Sequence, residues 1–301
     1  MNRWDVVAVG ENSVDLVYVL SDWPRVGEQS AKQAIRDRHV LYGGQAATTI
    51  STCAALGLRA TYAGATGSDE NGRAVREQLR QRGVDISNLV ERDVENRYAV
   101  ILVDGSSGER LVLWHRDDRL NLDERELPLD AIASARLVHV DLTDEAAAIC
   151  AASAGRAVSA LVTTDIDQVT SKTTELVTLA THAIFAEEAP RQLTGVDDLE
   201  QALRQLRRMY PATFVVTRGS RGAVALESDR LYSAPAFPVA AVDTTGAGDV
   251  FRGGFIYAVL SGQPIERALR IANAAAAVSC TRLGAMNGIP SLNEIRTLME
   301  G

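Results

Sequence analysis

The hydrophobic positions of this chain are spaced in two ways, and the change of spacing marks its organisation. Residues 5–10 are an almost continuous apolar run ended by a glycine, the pattern of a strand buried on both faces. From residue 15 to 20 apolar and polar positions alternate, as on a strand with one wet face. Residues 97–103 and 110–114 are two further β-like runs, and the Gly- and Ser-rich connection at 104–109 predicts a hairpin. Between these lie a Gly-Gly turn opening a small-residue helix that Gly57 closes, a strand at 60–64, and an amphipathic helix from Arg73 to Arg82 with Asp69 as its cap and Gly83 at its end. After about residue 120 the pattern settles into a rhythm. Strand-like runs at 136–141, 160–165, 182–185 and 213–217 alternate with helical stretches at 145–160, 172–180 and 199–210. This βα alternation predicts a mostly parallel sheet covered by helices on both faces. A long apolar helix over 264–280 follows.

Composition narrows the class. A chain of 301 residues has room for one large α/β domain with a small appendage. Its 46% hydrophobic and 23% charged residues are ordinary for a soluble globular protein. No run approaches the ~18 apolar residues of a membrane span, and residues 1–10 read as a strand, not a signal peptide. Cys53, Cys150 and Cys280 are far apart among small or apolar neighbours, which predicts buried thiols in a reducing, cytoplasmic compartment. A formal net charge of −8 argues against nucleic acid as a partner. Lys32 and Lys172 are the only lysines and neither follows a glycine, so a Walker A loop is excluded. The four histidines lack the i, i+4 pair of a zincin helix, and there is no Gly-x-Ser-x-Gly elbow.

The candidate chemistry centres on residues 243–255. Two threonines lead into Gly246, Ala247 and Gly248, Asp249 follows, and an apolar run with inner glycines continues beyond it. That is a tight turn opening a buried helix, and the free N–H groups of such a helix end favour an anion, above all a phosphate. A carboxylate at this place either caps the helix or accepts a proton from a hydroxyl attacking the phosphate. Asn12 and Asp15 fall at the end of the first strand, where open α/β sheets bind ligands, and read equally well as turn residues. Asp141 and Asp165 end strands on the same edge and are candidates for substrate or metal contact. Arg97, Arg110 and Arg116 lie on the 97–116 hairpin, and the sequence does not choose among them.

The 243–255 block resembles the C-terminal signature of the ribokinase (PfkB) family of sugar and nucleoside kinases, and weaker likenesses run through the whole chain in order. The resemblance implies that the backbone of Gly246, Ala247 and Gly248 is an anion hole and that Asp249 is the base. Gly43, Gly44 and Gln45 are similar to the family's N-terminal sugar-binding signature, with glutamine where asparagine is usual, and Asp15 matches an aspartate that binds substrate hydroxyls. Thr217, Gly219 and Gly222 resemble the nucleotide loop, and Asn273 the asparagine beside the adenine. Glu188 matches a glutamate that helps hold Mg²⁺ through water, although the asparagine that usually precedes it is missing. Asp243 and Thr245, with carbonyls of the 284–290 loop, match a monovalent-cation (K⁺) site. The implied fold is a single ribokinase-like three-layer α/β sandwich over 1–301, with a β-sheet lid from about 15–42 and 97–116. The implied activity is ATP-dependent phosphorylation of a primary hydroxyl of a fructose-, ribose- or keto-deoxy-acid-like sugar, in a homodimer joined through the lid. Two alternatives stay open: a nucleoside acceptor, for which Trp23 or Trp114 would supply an aromatic stack, and a non-catalytic sugar- or nucleotide-binding module.

Overall fold

A computed structural model describes residues 3–21, 23, 33–107 and 109–301. The first strand, β1 (Trp4–Val9), is buried from its second residue on, as the unbroken apolar run requires. The chain then makes β2 (Ser13–Leu20) and β3 (Ile35–Gly43), enters α1 (Gln45–Ala55), and returns through β4 (Ala60–Ala63), β5 (Ala65–Gly67) and α2 (Glu70–Gln81). After β6 (Val90–Arg92) come the hairpin strands β7 (Tyr98–Asp104) and β8 (Arg110–His115) and the short α3 (Leu129–Ala133). The alternating part follows: β9 (Ala135–Val140), α4 (Glu145–Ala157), β10 (Leu161–Thr164), α5 (Thr173–Leu179), β11 (His182–Ala186), α6 (Ala189–Thr194), α7 (Leu199–Met209) and β12 (Thr213–Thr217). Strands β13 (Ala223–Glu227) and β14 (Arg230–Ala234) precede the closing helices α8 (Ala247–Leu260), α9 (Ile265–Ser279) and α10 (Leu292–Glu300).

The main sheet has eight strands in the order β14-β13-β12-β11-β10-β9-β1-β4. From β4 to β12 every pair is parallel, as the βα rhythm predicts. The last two strands turn antiparallel. Residues 218–222 between β12 and β13 are too few for the crossover that a parallel return needs. The chain leaves β1 toward β4 on one side and later fills in β9 on the other, so the strand order reverses beside β1. Open α/β sheets bind ligands at such a point.

A separate four-stranded sheet, β3-β2-β7-β8, gathers the 15–42 and 97–116 segments, of which residues 22, 24–32 and 108 lie outside the described residues. A small parallel pair, β5 with β6, was not legible in the apolar pattern, because each strand has only three residues.

Helix α8 is wedged between α1 and α9. A Cβ on Gly253 would lie 2.4 Å from the Thr52 Cβ of α1, and one on Gly254 would lie 3.0 Å from the Ala275 Cβ of α9. The paired glycines therefore set how closely the three helices approach. Helix α2 starts at Glu70, earlier than Arg73, because the Asp69 carboxylate accepts the Gly72 N–H at 3.0 Å and closes the first turn. Helix α10 has a readable start in Ser291 and Glu294, which form a reciprocal capping box. Of the three free cysteines only Cys53 is buried, while Cys150 and Cys280 are half-buried at element ends or helix faces. No helix among the described residues is long and apolar enough to cross a membrane.

Candidate active site

Gly246 is the N-cap of α8 and takes the left-handed conformation, φ 74°. A Cβ there would also lie 2.3 Å from the Ala285 Cβ, so glycine is required twice over. The Ala247 N–H turns back to the Thr244 carbonyl at 3.2 Å, and Val250 donates to Gly246 at 2.9 Å. The N–H groups of Gly248 and Asp249 lie between these two bonds, in the first turn, where a helix offers its donors outward.

These donors open onto a cavity of about 590 Å³. Thr217, Gly219, Gly222 and Asn273 line it together with Thr244, Ala247 and Gly248, and Phe237, Pro238 and Phe251 give it an apolar wall. The three residues of the expected nucleotide loop, Asn273, and Ala247 and Gly248 of the expected anion hole thus share one space. Asn273 is buried and donates its amide to the carbonyls of Ala234 at 2.9 Å and Pro235 at 3.1 Å. It holds the wall of the cavity in place. Gly222 does the same by absence, since a Cβ would lie 2.1 Å from the Ala234 carbonyl.

The turn before α1 meets the turn before α8. Ala285 touches both: built Cβ atoms on Gly43 and Gly246 fall 3.8 Å and 2.3 Å from its Cβ. Gly44 caps α1 at φ 98° with Asn12 pressed against it. Asp15 on β2 faces Gly43, its carboxylate 3.7 Å from the same built atom. Burial pushes Asp15 up to about 6, with the Ser13 hydroxyl opposing and the Asp243 charge adding. The Gln45 side chain is half-buried and has no hydrogen-bond partner among the described residues. The Thr49 hydroxyl of α1 donates to the Asp249 carbonyl at 3.2 Å and ties the two helices together.

Asp249 is the one carboxylate at the helix end. Its side chain is 15% exposed. Burial pushes it up to about 7, against the pull of the Arg252 guanidinium and with the Asp141 charge adding. A carboxyl group poised near neutrality, beside free N–H donors, is equipped to take a proton next to a bound phosphate.

The pfkB family carbohydrate kinase model matches residues 4–292. The chain belongs to that family. It is 29% identical over 296 residues to a nucleoside kinase of Methanothermobacter thermautotrophicus, covering 96% of this chain and 94% of that one. It is 27% identical over 302 residues to a ribokinase of Bacillus subtilis, covering 98% and 99%. Among solved structures it is similar to a putative ribokinase from Agrobacterium tumefaciens, with TM-score 0.90 and 29% identity over 99% of this chain and 97% of that one. The fold is ribokinase-like and the protein is a sugar or nucleoside kinase.

Other expected site residues of this kinase stand elsewhere. Asn12 is buried and fully committed: its amide nitrogen donates to the Tyr62 hydroxyl at 3.1 Å and the Ala65 carbonyl at 2.7 Å, and its oxygen accepts from Asn96 at 3.1 Å. Asp141 is also wholly buried and accepts the backbone N–H groups of Glu11 at 2.7 Å, Ala46 at 3.2 Å and Thr143 at 2.9 Å. Both brace the turn before α1 from behind, and neither offers a free group to a ligand. Glu188 is exposed and pairs with Arg191 at 3.1 Å on the outside of α6. Glu187 faces Arg218 and Arg221 of the turn between β12 and β13 instead. No group of three or more His, Cys, Asp or Glu side chains among the described residues could hold a metal ion.

Asp243 is buried and crowded. One oxygen accepts the Thr245 N–H at 3.0 Å, the Thr245 hydroxyl at 2.7 Å and Arg110 at 3.2 Å, and the other accepts the Gly284 N–H at 2.8 Å. These donors outweigh burial and hold it below the usual carboxylate range. Because Arg110 already meets its charge, these contacts do not support a cation bound there. Arg110 also donates to the Thr245 hydroxyl at 3.1 Å. The hairpin arginine that reaches the turn before α8 is therefore Arg110, while Arg97 pairs with Glu11 and Arg116 with Asp144. Trp23 is bound to Glu109 at 2.9 Å. Trp114 pairs in register with Ala99, and Ala99 with Asp15, so Trp114 shares the face of the small sheet that carries Asp15.

Proposed function

We propose that this kinase transfers the γ-phosphoryl of MgATP to a primary hydroxyl of a sugar, with Asp249 as the base. The observation that carries the reading is Asp249 in the first turn of α8, next to outward N–H donors at one end of the cavity. Asp15 and Gln45 orient the acceptor hydroxyl toward Asp249. As the hydroxyl oxygen bonds to phosphorus, its proton passes to the carboxylate and ADP leaves with the electrons of the broken P–O bond. The N–H groups of Gly248 and Asp249 meet the charge on the phosphoryl group in flight. Thr217 and Gly219 hold the nucleotide in the cavity. The β3-β2-β7-β8 sheet acts as a lid that keeps water from competing with the sugar.

Purified enzyme should release ADP only with an acceptor present, in a coupled assay over ketoses, ribose, sugar acids and nucleosides. Asp249→Asn should lower kcat by about 10²- to 10⁴-fold while ATP still binds. Turnover within a few-fold of the parent enzyme would remove Asp249 as base.

A second reading replaces the sugar with a nucleoside. Trp114 favours it: the indole is 67% exposed on the face shared with Asp15, ready to stack on a base. Adenosine outperforming every free sugar in the panel, with Trp114→Ala losing adenosine selectively, would establish that reading.

The lid also supports a homodimer. Strands β3 and β8 are its edges, and every residue of β8 is exposed, including Leu111, Val112 and Leu113. Sedimentation at micromolar concentration should report a dimer that an Arg or Lys at Leu113 dissociates. Three unpaired thiols fit a reducing, cytoplasmic location.

A further inference from the structure

Beneath Asp249 lies a polar cluster that the proposed mechanism leaves unused. Arg252, one turn along α8, is 3% exposed, and Asp165, at the end of β10, is 1% exposed. The Arg252 guanidinium rests against the Asp165 carboxylate with one nitrogen, and its other terminal nitrogen stands 3.8 Å from Asp249 Oδ1. The pair meets charge to charge: neither Asp165 oxygen nor Arg252 Nε has an aligned hydrogen-bond partner. His139 on β9 lies near the same guanidinium, bonded through Nδ1 to the Thr163 hydroxyl at 3.0 Å and with Nε2 unpartnered. Burial, with Arg252 adding, pushes His139 down to about 3, so the ring is neutral.

A buried ion pair is weak evidence of stability, because desolvation offsets its attraction. Its placement says more. A cation shared between two acids sits close enough to Asp249 to favour the ionised form, yet is held off at 3.8 Å by its grip on Asp165. A direct Arg252–Asp249 salt bridge would make the carboxylate too weak a base.

The geometry points to Arg252 as a positioning residue that sets the proton affinity of Asp249, with Asp165 fixing the distance at which it acts. The inference rests on Asp249 being the base. The charged groups facing Asp249 are Arg252 from its own helix, Asp141 after β9, and Asp165 and Asp167 after β10, while α1 contributes the neutral Thr49 hydroxyl. Arg252 and a contact with the Asp165 side chain oppose the effect of burial, and Asp141 and Asp167 reinforce it; an asparagine in place of Asp165 keeps an amide for that contact. Removing Arg252 therefore raises the pH at which Asp249 ionises, and releasing Arg252 from Asp165 lowers it.

The test compares parent enzyme, Asp165→Asn and the double variant Asp165→Asn/Arg252→Met by the pH dependence of kcat/KM. The acceptor is whichever of D-fructose, D-ribose or adenosine releases ADP fastest. Asp165→Asn should move the acidic midpoint down. The double variant, with no unpaired buried charge, should move it up again by about one pH unit or more relative to Asp165→Asn, which is about a tenfold difference in rate on the acidic limb. Superimposable profiles for the two variants overturn the inference, even if both are uniformly slow, since a packing defect lowers the rate at every pH alike. If the double variant does not fold, Asp165→Asn decides alone, and an unmoved or raised midpoint overturns it. Asp249→Asn separates the two layers: substantial activity there removes the base assignment itself, whereas an inactive Asp249→Asn beside unmoved Asp165→Asn profiles removes only the role of Arg252.

Discussion

In the proposed reaction Asp249 has to be ionised enough to accept a proton and enclosed enough to meet a hydroxyl without water between them. Burial raises it to about 7, near the value at which a base is both available and strong at neutral pH. The sign of the pH effect follows. The base works only when ionised, so kcat/KM should fall about tenfold per pH unit on the acid side of a midpoint near the ionisation of Asp249. A flat profile between roughly pH 5 and 8 would mean that no group of this kind limits the reaction. Asp15, pushed to about 6 by burial, is in the proposed reaction the second acid that must be ionised to accept hydroxyl hydrogen bonds, and it should steepen the acid limb.

Among the elements, α8 and the small sheet carry the proposed mechanism. Helix α8 is held against α1 and α9 at glycine-limited distance, which fixes where its N-terminus points. Gly253→Val would drive two methyl groups into Thr52 and should lower stability by about 1–3 kcal/mol, read as a drop in melting temperature. The small sheet reaches the turn before α8 through Arg110, which bonds both Asp243 and Thr245 from β8. Arg110 is partly exposed, so its effect on folding is small, and its removal should show in kinetics. Arg110→Ala should lower kcat/KM for ATP by about five- to tenfold with little change in melting temperature. Unchanged kinetics would mean that the sheet and the turn are not coupled through this side chain.

The whole molecule carries the energetic cost of its site. Asp249 takes up its proton more readily folded than unfolded, so ionising it opposes folding. That penalty is absent below the ordinary carboxylate range, grows as pH rises through it, and is complete above about 7. Asp249→Asn should therefore melt several degrees above the parent enzyme at about pH 8, and the gap should close as pH falls toward about 4. Equal melting curves at both pH values would show that the buried charge is compensated by its neighbours in every state.

The apolar spacing of consecutive residues determined the longer strands, the βα rhythm and the parallel sheet, because burial on one or both faces of an element leaves its mark within a few adjacent positions, and the glycines at 246 and 248 marked the turn before α8. The family likeness was legible for the same reason, since its motifs are short and contiguous. What the tertiary structure decided is which side chains face the site. Asn12 and Asp141 sit at the expected sheet edge, yet their polar atoms are taken by residues 50 to 130 positions away, such as Tyr62, Asn96 and the Glu11 N–H. Glu188 follows its strand as expected but turns outward to Arg191. Arg110 emerged from three equivalent hairpin arginines, and Arg252 looked like any charge inside an apolar run. Their partners Asp243 and Asp165 are set by strand order and helix packing, which no local pattern encodes.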